Sequence, residues 1–185
     1  MKMLVLFVVL VTACGDNQKG PLSYTDPGAG KLRLIQGPSP GADRVLLQLV
    51  VGDQALTGYS VGFDLPIDDT KVTFASFAPG TALDPGTSPV AAVGKLMTTG
   101  PLAHDLVTAQ SQKASGDGAK PADTTLAPGT VLYSFELVMI NHAHGVVFDG
   151  TAAGFLLPSG GLRDRAGTAV VLASEVAIGK LEITP

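Results

Sequence analysis

Hydrophobic residues in this chain come in short bursts, each closed by a glycine- or proline-rich turn. Tyr59 to Leu65 places Tyr59, Val61, Phe63 and Leu65 on one side and Ser60, Gly62 and Asp64 on the other, the period-2 alternation of a half-buried strand. Lys31 to Gln36 alternates in the same way, and Val72 to Phe77 predicts a strand with Val72, Phe74 and Ser76 on one side. Arg44 to Val51 is nearly continuous apolar sequence, as in a central strand covered on both faces. Gly129 to Ile140 is the strongest β run, its two faces apolar except at Ser134 and Glu136. Weaker strands are expected at Val90 to Met97 and Asp105 to Gln110. Short ones follow at Val146 to Phe148, Gly154 to Leu157, Ala169 to Ala173 and Val176 to Ile183. The runs amount to about nine strands, with turns at Pro66 to Lys71 and Asn141 to Gly145, and no long amphipathic helix or solenoid-period repeat interrupts them. The expected fold class is all-β, a single antiparallel β-sandwich.

Composition agrees. The 185 residues include 23 Gly and 13 Pro, 15% are charged, 5% are aromatic and none is Trp. Breakers at this density, among many Val, Leu and Thr, favour short strands over helices, and the length is enough for one domain with a true core. The formal charge of −4 and the lack of any basic stripe argue against nucleic acid as a partner.

The first 14 residues read differently. Met1-Lys2-Met3 is a short positive start, Leu4 to Val11 is unbroken apolar sequence, and Thr12-Ala13-Cys14 leads into polar Gly15-Asp16-Asn17-Gln18-Lys19. This is the layout of a secretory signal, and its apolar run is far shorter than the roughly 20 residues of a membrane-spanning helix. Val11-Thr12-Ala13-Cys14 resembles the lipobox of bacterial lipoproteins. The resemblance implies cleavage before Cys14, removal of residues 1–13 as signal peptide, and lipidation of Cys14. Cys14 is the one cysteine in the chain, so no intramolecular disulfide exists, and acylation would remove an exposed thiol from an oxidising compartment. Membrane attraction would then come from acyl chains, not a polybasic patch. The expected localisation is the bacterial cell envelope. In a Gram-negative host the outer membrane is favoured over the inner, because Gly15 and not Asp follows Cys14.

Residues 14–30, with Gly20-Pro21 and Asp26-Pro27-Gly28, read as lipidated cysteine and flexible tether, Tyr24 being its one aromatic. Residues 31–185 then form the sandwich domain. Ser111 to Pro128, around Ser115-Gly116-Asp117-Gly118, reads as a long polar loop.

Leu56 to Pro66, then Lys71-Val72-Thr73-Phe74, then Phe77-Ala78-Pro79-Gly80-Thr81, resembles the first half of a cohesin-like domain. Pro128 to Leu137, Gly154 through Asp164 and Val176 to Ile183 resemble its later strands. The resemblance spans roughly residues 31–184. It implies a jelly-roll sandwich related to a carbohydrate-binding class, and a protein module bound through one sheet face. The 111–128 loop departs from a compact cohesin, and the family's binding residues do not map one by one.

Other constellations are weak. His142-Ala143-His144 could put two ligands on one face, with His104 or Asp105 completing a site, yet zinc needs three or four ligands and two His in a turn are ordinarily solvated. Asp68-Asp69, Asp117-Gly118, Asp123 and Asp149-Gly150 lack the spacing of a known calcium loop, and turn chemistry accounts for them. No Ser sits in a Gly-x-Ser-x-Gly elbow, and Glu136, Glu175 and Glu182 do not define a carboxylate pair. Tyr59, Phe63, Phe74, Tyr133 and Phe135 occupy strand positions where burial is the rule, leaving Tyr24 as the one aromatic free for sugar stacking. The sequence therefore predicts no catalytic residue, no metal ligand and no cofactor. Its leading expectation is a non-catalytic, lipid-anchored envelope protein presenting a β-sandwich to a protein partner; the alternative is a polysaccharide-binding module at the cell surface.

Overall fold

The computed structural model describes residues 22–38, 40–83, 91–112 and 120–184; the expected signal peptide, Cys14 and Asp117-Gly118 lie outside them. The strands are, in chain order, β1 (Leu22–Thr25), β2 (Leu32–Gln36), β3 (Arg44–Val51), β4 (Leu56–Gly58), β5 (Ser60–Pro66), β6 (Val72–Pro79), β7 (Ala91–Leu96) and β8 (Asp105–Ser111). There follow β9 (Thr124–Leu126), β10 (Val131–Met139), β11 (Gly145–Asp149), β12 (Gly160–Arg163), β13 (Ala169–Leu172), β14 (Val176–Ala177) and β15 (Lys180–Ile183). One 3-10 turn, Ala173–Glu175, separates β13 from β14. Among the described residues no helix is long and apolar enough to cross a membrane.

Two five-stranded sheets make the sandwich, one ordered β14-β2-β3-β10-β6 and the other β13-β12-β5-β8-β7. Their inner faces meet in one apolar cluster. Val45, Leu47 and Leu49 of β3 and Phe135 and Leu137 of β10 are buried from one side, and Val61, Phe63 and Leu65 of β5 and Leu106 of β8 from the other. Tyr133 joins the layers, its ring 6.1 Å from that of Phe63 and 5.2 Å from that of Phe77. Its hydroxyl shares a 2.8 Å hydrogen bond with Thr108, which also donates to the Phe63 carbonyl. Complete burial pushes the Tyr133 phenol far above its ordinary range. Gln110, also buried, closes a two-way bond with the Gly80 backbone, so each buried polar group on β8 meets a partner.

The all-β sandwich expected from the alternation is present, and β3 spans the predicted residues. Several details differ. A bulge between Glu136 and Leu137 in the β6–β10 pairing puts Phe74 and Phe77 both inward and turns Ser76 outward, where it faces Glu136. Gly154 to Leu157 is not a strand; the pairing partner of β5 is Gly160–Arg163 instead. Val176 to Ile183 is broken at Ile178-Gly179, so that β14 pairs parallel with β2 while β15 joins another sheet. That parallel pair departs from a wholly antiparallel sandwich. Within the expected 111–128 loop, β9 pairs with β4 and buries Leu126.

The largest correction concerns the tether. Residues 22–25, read as part of a flexible 14–30 segment, form a strand on a three-stranded sheet, β1-β15-β11. Leu22 and Tyr24 are both buried, and the Tyr24 ring lies 6.0 Å from that of Phe148. The Tyr24 hydroxyl donates to the Leu34 carbonyl and accepts from the Gly179 N–H, each at 2.8 Å. Its ring supplies the apolar area, and its hydroxyl satisfies two backbone groups between β2 and the β14–β15 bend.

Candidate functional site

The outer face of the β13-β12-β5-β8-β7 sheet is a shallow trough. Residues directly opposite in antiparallel strands share a face, so the register gives its floor. Across the middle row stand Val93, Ala109, Gly62, Gly161 and Leu172. The three central positions are small and the two at the edges are large, with Val93 48% and Leu172 54% exposed. The result is a concavity of about 580 Å³ with apolar shoulders.

Local sequence explains this shape. The alternation in β5 sends Val61, Phe63 and Leu65 inward and leaves Ser60, Gly62 and Asp64 outside. A Cβ at Gly62 would stand 2.4 Å from the Thr108 carbonyl oxygen and 2.9 Å from Ala109. Gly161 has a φ of 113°, and a Cβ there would meet the Val171 carbonyl oxygen at 2.0 Å. Neither position accepts a side chain without moving backbone, so the floor stays low.

Polar groups rim the trough unevenly. Beside Val107 stand Lys95 on β7 and Asp64 on β5, and Asp64 accepts a short hydrogen bond from Ser159. Asp105, at the same end, has its carboxyl raised above the ordinary carboxylate range, first by burial and then by Asp64. At the other end Ser111, Ser60 and Arg163 line up across three strands, and Arg163 donates to the Gly167 carbonyl at 2.9 Å. Carboxylates thus mark one end of the trough and a guanidinium the other.

No family model matches this chain and no curated protein matches it. One solved structure to which the chain is similar is the solution structure of CaCohA2 from Clostridium acetobutylicum. It is 14% identical, at a TM-score of 0.45 over 82% of this chain and 92% of that one.

The other sequence-nominated residues do not gather at the trough. His142 and His144 sit in the β10–β11 turn, His142 with a φ of 64°, while the His104 ring pairs with Asp69 at 2.9 Å. Among the described residues, no three of His, Cys, Asp and Glu converge as metal ligands. Asp68 accepts from the Thr70 backbone and hydroxyl and pairs with Lys71, which hold its carboxyl below the usual range, Lys71 foremost. Asp149 is lowered by its bond to the Thr151 hydroxyl, and Asp123 accepts from the Arg165 N–H. Glu136 pairs with Arg44, Glu175 with Lys31 and Glu182 with Lys180, each at the surface. Tyr24, expected free for sugar stacking, is 6% exposed.

The trough residues were not singled out from the sequence. The signal was present in Gly62, a glycine at an outward position of a well-alternating strand, and in the doubled Gly160-Gly161.

Proposed function

We propose that this chain is a non-catalytic, lipid-anchored protein of the bacterial envelope whose trough holds a segment of a protein partner. The observation that carries the reading is the row Val93–Ala109–Gly62–Gly161–Leu172, a small-residue floor between two exposed apolar shoulders. Exposed apolar positions grouped with a polar rim are the composition of a protein-binding patch. Its low floor admits another chain's side chains close to the backbone. The lipid anchor is supported by the signal layout ending at Cys14, and the outer membrane by Gly15 after it. A polysaccharide reading is less favoured, because no aromatic ring stands at an outward position on this face among the described residues.

A photo-crosslinking residue at Val93, in cells, tests the partner. The expected result is an adduct with a second polypeptide that disappears when Ala109→Trp fills the floor, while a crosslinker at exposed Ala152, in the turn after β11 and outside this sheet, gives none. No adduct at Val93, or the same adduct at Ala152, refutes it. Mass spectrometry of the amino-terminal peptide, wild type against Cys14→Ser, tests the anchor: acyl mass on a peptide beginning at Cys14 supports it, and an unlipidated peptide overturns it.

A further inference from the structure

The place where β1 begins fixes where the chain leaves the sandwich. Leu22 donates its N–H to the Ala42 carbonyl and pairs with Ile183, which also pairs with Gly145. The same end carries the 66–71 turn, where Ile67 donates to the His104 carbonyl and Lys71 accepts from Ile140. All three histidines of the chain, His104, His142 and His144, therefore lie at this end. The other end holds the 52–55 turn and the 164–168 turn beside Lys120.

We infer that the end bearing the 40–43 loop and the 140–144 turn rests on the bilayer surface, with the 164–168 turn pointing away. The inference builds on the lipid-anchor reading. Eight residue steps separate Cys14 from Leu22, and a fully extended chain covers them in about 28 Å at most. Strand β10, nine residues and so eight steps long, crosses the sandwich over roughly 26 Å at about 3.3 Å per step. Seating the far end on the lipid would lift Leu22 about that high. The link would then be drawn to nearly its full reach, and the entropy of stretching it opposes that pose.

Charge does not choose the orientation. Of the permanent cations toward the near end, Lys71 and Arg44 are paired with Asp68 and Glu136 and Lys95 stands in one row with Asp64, while Asp43, Asp69 and Asp105 stand among them and the three histidines. That is no polybasic surface. The acyl anchor and the shortness of the link hold this end down, so neutral phosphatidylcholine should serve as well as anionic lipid.

The test uses the full lipidated chain in phosphatidylcholine vesicles, with one fluorophore at His144→Cys or at Ala166→Cys, both exposed turn positions. Acylation blocks Cys14, so the introduced thiol alone is labelled. A nitroxide on the lipid headgroup should quench the His144 label several-fold more than the Ala166 label, both variants unfolding at the wild-type temperature. Equal quenching, or stronger quenching at Ala166, in a protein whose amino-terminal peptide carries acyl mass overturns the orientation and leaves the anchor standing. A peptide without acyl mass overturns both. Quenching of the His144 label on anionic vesicles in the Cys14→Ser chain would show attraction by charge and overturn the inference too.

Discussion

Tyr24→Phe is the sharpest probe of the amino-terminal strand. The change keeps the ring against Phe148 and removes one oxygen. That oxygen bridges the Leu34 carbonyl and the Gly179 N–H in a buried setting. The carbonyl has a second lone pair for its strand partner, but the Gly179 N–H loses its acceptor. An orphaned buried donor costs about 1–3 kcal/mol, so the expected loss is about 2 kcal/mol in denaturant unfolding, or roughly 4–8 °C in Tm for a domain of this size. Since the bond ties the β14–β15 bend to β1, the variant should also be cleaved faster by protease between residues 22 and 31. Gly179→Ala attacks the same junction from the other side, its Cβ falling 1.9 Å from the Thr25 carbonyl oxygen and 2.9 Å from the Tyr24 hydroxyl. A Tyr24→Phe protein with wild-type unfolding and unchanged proteolysis would refute the idea that this strand belongs to the domain and is no tether.

Three further outcomes follow from the core. Thr108→Val leaves the fully buried Tyr133 hydroxyl without its partner and should cost about 1–3 kcal/mol in equilibrium unfolding. Gly94→Ala drives a Cβ to within 2.4 Å of the Phe77 ring and should destabilise by about 1–3 kcal/mol, read as a lower Tm. Stability should also fall in alkali. Burial foremost raises the Tyr24 and Tyr133 phenols well above their unfolded value of about 10. The folded state thus keeps protons that the unfolded state releases, a contribution intact below pH ~10 and lost as pH climbs toward the folded values, by about 1.4 kcal/mol per pH unit for each phenol. Titrating phenolate absorbance with circular dichroism should show these two ionising only as the sheet signal collapses, and Tyr24→Phe should flatten the slope.

The fold was legible wherever one face of a strand is buried and the other wet. Tyr59 to Leu65 declares itself because burial selects every second residue, and Arg44 to Val51 by its apolar run, although that strand is not covered on both faces as expected: Arg44 is exposed and Leu46 and Gln48 are half-buried. The pattern failed where the strand was too short to show a period. Leu22–Thr25, Thr124–Leu126 and Gly160–Arg163 are three or four residues long, and their existence depends on partners far along the chain. It failed again at the β6 bulge, since one extra residue reverses the face of everything after it and leaves no mark in composition. The trough was hidden for a related reason: it is made of side chains that are missing on β5, β8 and β12, between the edge strands β7 and β13, and only the register brings them into one row.

The two outer faces of the sandwich differ in a way that bears on which one meets a partner. On the β14-β2-β3-β10-β6 sheet polar outward residues pair with one another among half-buried Ile35, Leu46 and Val138. Arg44 pairs with Glu136 at 2.8 Å, Ser76 reaches Glu136, and Gln48 stands opposite Ser134. Long polar side chains there shield the backbone and hold one another across the strands. The other sheet sets glycine and alanine where such side chains would stand and leaves Val93 and Leu172 half in water at its margins. The small residues are confined to the middle row, with Asp64 and Lys95 on one side of it and Ser60 and Arg163 on the other. If the trough is the binding face, Trp introduced at the exposed Thr73 on the polar sheet should leave the Val93 adduct intact, whereas Ala109→Trp abolishes it with no loss of Tm. Equal loss from both variants would assign the contact to something other than the trough.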